Sequence, residues 1–146
     1  MSNTSYSFLD TVAVLVHPLL PIPITLSGEG MGSASISMTT ERTSHHIAAD
    51  GSIMVNKMAG NNGQITIEVQ QTSAAHKALL AFYNLLIISP SNVWAQAALM
   101  LRNVTDGTSH LATGVSPQKI PDKKYEKEGG MIAWVLMAAD IQSITI

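Results

Sequence analysis

The segment from Gln64 to Gln70, QITIEVQ, alternates without a break, with Ile65, Ile67 and Val69 on one parity and Thr66, Glu68 and Gln70 on the other. Only a strand places successive side chains on opposite faces, so this run specifies one covered apolar face and one polar face. The helix signal that follows is equally plain. Thr72-Ser73 opens it, Leu79, Phe82, Tyr83 and Leu86 form a stripe at i, i+3, i+4, i+7, and it ends near Ser89-Pro90.

Other alternating runs share the first pattern. Ser33 to Glu41 places Ala34, Ile36 and Met38 against Ser35, Ser37 and Thr39. Further strands are predicted at Ser7 to Val16, His45 to Ala49, Ile53 to Met58, Val93 to Val104, Ser109 to Ile120 and Met131 to Ile141. Asp50-Gly51 and Asp106-Gly107 are favoured hairpin pairs, and AGNNG precedes Gln64, so the middle of the chain reads as an antiparallel meander. The prolines between Pro18 and Pro23 suit an extended edge or loop. Met131 to Ile141 is apolar on both parities, which predicts a strand covered on both faces. The predicted architecture is mainly β: an antiparallel β-sandwich or barrel of roughly seven to nine strands with one flanking α-helix. At 146 residues it is expected to form a single domain spanning 1–146.

Composition narrows what such a fold can do. Hydrophobic residues make up 46% and charged residues 12%, the latter about half the roughly 25% usual in soluble proteins. The most apolar window, TVAVLVHPLLPIPITL, holds His17 and three prolines and is too short to span a bilayer. No membrane insertion is expected, and no signal peptide either, because the segment before Thr11 carries Asp10 and no Lys or Arg. Burial of plain surface against other subunits explains the missing charge better. The net charge of −2, without a basic tail, argues against tight nucleic-acid binding. DKKYEKE, Asp122 to Glu128, holds a third of all the charged residues, three of each sign, and reads as an exposed loop between Pro121 and Gly129-Gly130.

The chemistry-bearing residues do not assemble into a catalytic signature. The glycines of AGNNG precede the strand rather than joining strand to helix, so they are architecture rather than a phosphate loop. Zero cysteines remove thiolate chemistry and disulfides. His45-His46 would point to opposite faces of a strand, and His17, His76 and His110 lack ligand spacing, so no metal and no cofactor are expected. There is no Gly-x-Ser-x-Gly elbow. Trp94 and Trp134 stand apart from Lys and Arg, as core or interface anchors do.

In order, YSFLDTVAVL, IAADGSIMVNKMAGNNGQITIEVQQTSAAHKALLAFYN, VWAQAALMLRN and IPDKKYEKEGGMIAWVLMAADIQSI resemble the tail tube proteins of contractile-tailed bacteriophages. The resemblance runs from Tyr6 to Ile144 and is most specific at ADGS, GQITIEVQQTS and PDKKYEKEGG. It implies a structural virion protein without enzymatic activity, forming hexameric rings that stack into a tube with a β-lined lumen. The implied partners are a contractile sheath outside, a tape-measure protein and then DNA inside, and baseplate and terminator proteins at the ends. The implied location is the phage tail, assembled in the host bacterial cytoplasm. In that arrangement Ser35, Ser37, Thr39, Thr66, Glu68 and Gln70 would face the lumen, and Lys123, Lys124, Glu126, Lys127 and Glu128 would contact the next ring or the sheath. Glu68 could instead sit on a solvated face or pair with Lys57 across a hairpin. The alternatives are a small β-barrel holding an apolar ligand and the secreted tube of a bacterial contractile secretion system, which shares the architecture.

Overall fold

The computed structural model describes residues 3–28 and 30–145. Ten strands and one α-helix are present among them, with short 3-10 turns at Phe8–Asp10 and Ser91–Val93. In chain order the strands are β1 (Thr11–Val16), β2 (Ile24–Leu26), β3 (Met31–Met38), β4 (Thr43–Ile47), β5 (Ile53–Lys57) and β6 (Gly63–Gln70). The helix α1 (Ala74–Ile88) follows, then β7 (Ala97–Asn103), β8 (Thr108–Pro117), β9 (Met131–Ala138) and β10 (Asp140–Thr145).

Eight strands form one antiparallel sheet in the order β2-β1-β7-β8-β9-β6-β3, with β10 also paired to β8. The sheet folds into a sandwich because β8 changes partners along its length. From Thr108 to Val115 it pairs with β7, and with β10 over Thr108 to Thr113, while Ser116 and Pro117 pair with Met137 and Leu136 of β9. The corner is built by Gly114, whose φ of +64° belongs to the left-handed region that L side chains rarely adopt. The Ala139 N–H donates there to the carbonyls of Thr113 and Gly114, at 3.1 and 3.3 Å. Strand β9 thereby ends, and β10 crosses to the other layer.

The core lies between the layers. Leu15, Leu99, Val115 and Ile141 from one side meet Ile65, Ile67, Val69, Trp134 and Leu136 from the other. The helix stripe falls where its spacing placed it: Leu79, Phe82 and Leu86 are buried and Tyr83 packs against the core. Ser73 caps the helix, its Oγ accepting from the His76 N–H at 3.2 Å and donating to the Gln70 carbonyl at 2.7 Å. His17 fastens the proline-rich stretch: its Nε2 lies 2.8 Å from the Val93 carbonyl, and its Nδ1 accepts from the Leu19 N–H at 3.0 Å.

Several expectations are corrected. The meander does not form: β6 pairs with β3 and β9, and β4 with β5 makes a separate two-stranded ribbon. Ser7 to Val16 begins with a 3-10 turn, and Ile24–Leu26 after the prolines is an edge strand on β1. Met131 to Ile141 is two strands rather than one, and β9 is covered on one face only. Ile132, Trp134 and Leu136 are buried, while Met131 and Met137 are 47% and 41% exposed.

Candidate functional site

The register of β3, β6 and β9 decides which side chains share the face turned away from the core, because residues directly opposite in an antiparallel pair point the same way. Ser33, Ser35 and Ser37 lie opposite Glu68, Thr66 and Gln64. On the other side of β6 those residues lie opposite Ala133, Val135 and Met137, and Gln70 lies opposite Met131. The outer face therefore has a stripe of small and polar side chains from β3 and β6, edged by an apolar stripe from β9.

Glu68 is the only charged residue these three strands place on that face. Ser33 Oγ donates to Glu68 Oε2 at 3.2 Å. Lys57 is opposite Thr43 in the separate ribbon, and the one ion pair among the described residues joins Lys124 to Glu126 at 2.6 Å, so the Glu68–Lys57 pairing is not formed. Of the six residues expected to act together, Ser35, Ser37, Thr66, Glu68 and Gln70 share the face. Thr39 stands just beyond the end of β3, where its N–H donates to the Asn62 carbonyl at 3.0 Å. Ser33 and Gln64 belong to the same set and follow from the same alternation, extended by one residue at each end.

Lys123, Lys124, Glu126, Lys127 and Glu128 lie in the irregular segment between β8 and β9, all exposed. The Lys124–Glu126 pair joins near neighbours in that loop, and Lys123 Nζ sits 5.2 Å from the centre of the Tyr125 ring. An ion pair in that setting contributes little to folding. Ahead of it, Gln118, Lys119, Pro121 and Asp122 border a cleft of about 270 Å³ over Met131, Ala133 and Val135.

The histidines do not converge. His45 and His46 lie opposite Val55 and Met54, on opposite faces of the β4–β5 ribbon. His76 was one of the scattered histidines of the sequence and proves to be part of the core: Trp134 Nε1–H donates to its Nδ1 at 3.1 Å. His76 Nε2 is buried with no partner. Burial, reinforced by the positive charge of Lys123, holds the His76 pKa below its ordinary 6.5. Among the described residues no group of three or more His, Asp or Glu could hold a metal ion, and no helix is long and apolar enough to cross a membrane. The space that an apolar ligand would need between the layers is filled by Trp134, Leu15, Leu99, Leu136 and their neighbours.

The fold has solved counterparts in contractile machines. A chain of the anti-feeding prophage baseplate, 6-fold symmetrised, is similar with a TM-score of 0.65 at 16% identity, covering 99% of this chain and 98% of that one. A chain of the sheath/tube terminator of the extracellular contractile injection system PVC, in the extended state, gives 0.63 at 9% identity, covering 99% and 100%. One from the PVC sheath-tube complex in the extended state gives 0.56 at 13%, covering 92% and 88%. At these identities the likeness speaks for the fold alone. No curated protein matches the sequence. The family model described as Bacteriophage PhiTE tail tube protein matches residues 3–145, and this chain, a structural subunit of a tail tube, belongs to that family.

Proposed function

We propose that the chain closes into hexameric rings that stack into the inner tube of a contractile phage tail, with the outer face of β3, β6 and β9 lining the lumen. The supporting observation is the chemistry of the β3–β6 stripe on that face: small hydroxyl and amide side chains around one carboxylate per subunit, Glu68, edged by Met131, Ala133, Val135 and Met137 of β9. A ring of like charges on a water-filled wall repels the DNA backbone, which keeps the duplex from adhering during passage. The outer wall then meets the sheath, the tape-measure protein fills the lumen before DNA, and baseplate and terminator proteins meet the two ends. The 122–128 loop supplies contacts to the next ring or the sheath. The role is conduit and scaffold, with no catalytic step, in a virion assembled in the host bacterial cytoplasm.

Electron microscopy of the purified protein tests the rings and the tube. Glu68→Lys tests the lumen. The variant should fold as the parent does, and assembled tails carrying it should eject DNA more slowly, with the defect shrinking as salt shortens the screening length, about 8 Å at physiological ionic strength. A tube with Glu68 on its outer wall overturns the assignment.

A further inference from the structure

The β3–β6 pair does not stop at the edge of the sandwich. Met38 pairs with Gly63, and beyond them the two chains run on through residues 39–42 and 58–62 to pair again as Thr43 with Lys57. The unequal connections make a one-residue irregularity, after which β4 and β5 project as an arm. Every residue from Glu41 to Val55 is exposed. One face of the arm is nevertheless apolar: Ile47 opposite Ile53, then Val55 opposite His45, with Ile47 67% and Val55 63% exposed. Lys57 closes this face at the root. Asp50 stands at the tip, where its carboxylate accepts from the Ser52 N–H and Oγ–H at 3.0 and 2.7 Å.

A second uncovered face lies on the opposite layer. On β1, β7, β8 and β10 the register aligns Val14, Met100, Leu111 and Gln142 in one row, with Val12, Arg102, Ser109 and Ile144 on one side. The row on the other side is Val16, Ala98, Thr113 and Asp140. Met100 and Leu111, at its centre, are 45% and 40% exposed. The face carries two charges, Arg102 on β7 in one outer row and Asp140 on β10 in the other, and neither has an ion-pair partner among the described residues. It points away from the core and from the layer that bears the arm, so a subunit's own arm is on the wrong side to cover it.

We propose that the β4–β5 arm of one copy seats on this outer face of a second copy, its Ile47, Ile53 and Val55 against Val14, Met100 and Leu111. Charge fixes the direction. Asp50 at the tip meets Arg102, and Lys57 at the root meets Asp140; the reverse orientation opposes like charges at both ends. The spans agree: strand rise and spacing put Arg102 about 17 Å from Asp140 and the arm tip about 18 Å from Lys57, within reach of the long side chains. Donor and acceptor are different patches of one chain, so the contact is heterologous and generates a ring or a filament rather than a closed pair. The seat rests on the tube reading above, because it is a contact within that polymer.

The chain has no native cysteine, so engineered ones report without background. Val55→Cys and Met100→Cys proteins, mixed in equal amounts, assembled and treated with a short bismaleimide, should give covalent dimers containing one of each. The yield should exceed by about tenfold that from Val55→Cys mixed with Ser35→Cys, whose cysteine lies on the other layer's face. Asp50→Arg and Arg102→Asp should each raise the concentration needed for assembly by about tenfold, and combining them in one chain should restore it. Assembled tubes with no excess of mixed dimers, or charge reversals whose effects simply add, overturn the seat while leaving the tube intact. A parent protein that stays monomeric at every concentration overturns both.

Discussion

Acid should weaken this protein through one buried pair, His76 and Trp134. Trp134 is fully buried, and its indole N–H reaches His76 Nδ1 at 3.1 Å. That bond requires the lone pair on Nδ1, so doubly protonated His76 cannot accept it. Burial and the nearby Lys123 charge already hold the His76 pKa below 6.5. The unfolded chain therefore binds this proton more readily than the folded one. The contribution is fully present above pH 6.5 and is lost as pH falls below that value, with a slope of at most about 1.4 kcal/mol per pH unit for one proton.

His76→Asn separates this proton from all others, because the Asn side-chain oxygen can accept from the indole where Nδ1 did but does not titrate. Denaturant unfolding of parent and variant at half-unit steps from pH 8 to pH 5 should give stability curves that run parallel above 6.5 and diverge below it, the parent falling faster. Trp134→Phe makes the complementary test at pH 8. It leaves Nδ1 buried without a donor, which costs about 1–3 kcal/mol, and the lost ring volume adds to that. The melting temperature should drop by roughly 5–10 °C. Parallel curves for parent and His76→Asn down to pH 5 would refute the assignment of this acid sensitivity to His76.

Two further perturbations test the corner and the loop. Gly114→Ala forces an L side chain to φ +64° and brings its Cβ to 2.7 Å from that of Ala139. The expected loss is about 2–4 kcal/mol by denaturant unfolding, and adding Ala139→Gly should recover the contact part while the backbone strain remains; a double variant no more stable than Gly114→Ala would count against the contact. Reversing Lys123, Lys124 and Lys127 to Glu should leave the unfolding free energy within about 0.5 kcal/mol of the parent, since the segment is exposed. If the segment docks, the same variant should show weakened ring stacking or sheath attachment in electron micrographs, and unchanged tails would reduce the loop to a solvated connection.

What could be read from the sequence follows from what is local. Ile65, Ile67 and Val69 face the core, and Thr66 and Glu68 face away with Ser35 and Ser37, because period two survives wherever one face of a strand is covered. The helix stripe was legible for the same reason. The strand neighbours were not: β5 precedes β6 directly, yet the places beside β6 are taken by β3 and β9, pairings that no local pattern encodes. The break at Ala139 was hidden because Met131 to Ile141 is apolar on both parities, while the residue that makes the corner, Gly114, lies on another strand. Trp134 and His76 are 58 residues apart, so their bond left no mark in either local sequence.

The distribution of uncovered apolar side chains bears on which surface is left for water inside a tube. The arm, the outer face of β7 and β8, the end of α1 at Ile87 and Ile88, and the 3-10 turn at Leu9 all expose large apolar groups. Each is stabilised by whatever covers it, so a chain with charge on only 12% of its residues gains from every neighbour, and more so at higher concentration. The stripe formed by Ser33, Ser35, Ser37, Gln64, Thr66 and Glu68 gains little from cover. Its hydroxyls, amides and carboxylate are already well served by water, and burying Glu68 against another subunit would need a cation that this face does not carry. Unlike the apolar surfaces just named, it is a surface whose free energy argues for staying wet. That favours the lumen for it and subunit or sheath contacts for the arm and the β7–β8 face, an orientation that solvent labelling of assembled tubes can read directly. Ser35→Cys should stay open to a small maleimide from the tube interior, whereas Val55→Cys and Met100→Cys should lose reactivity on assembly.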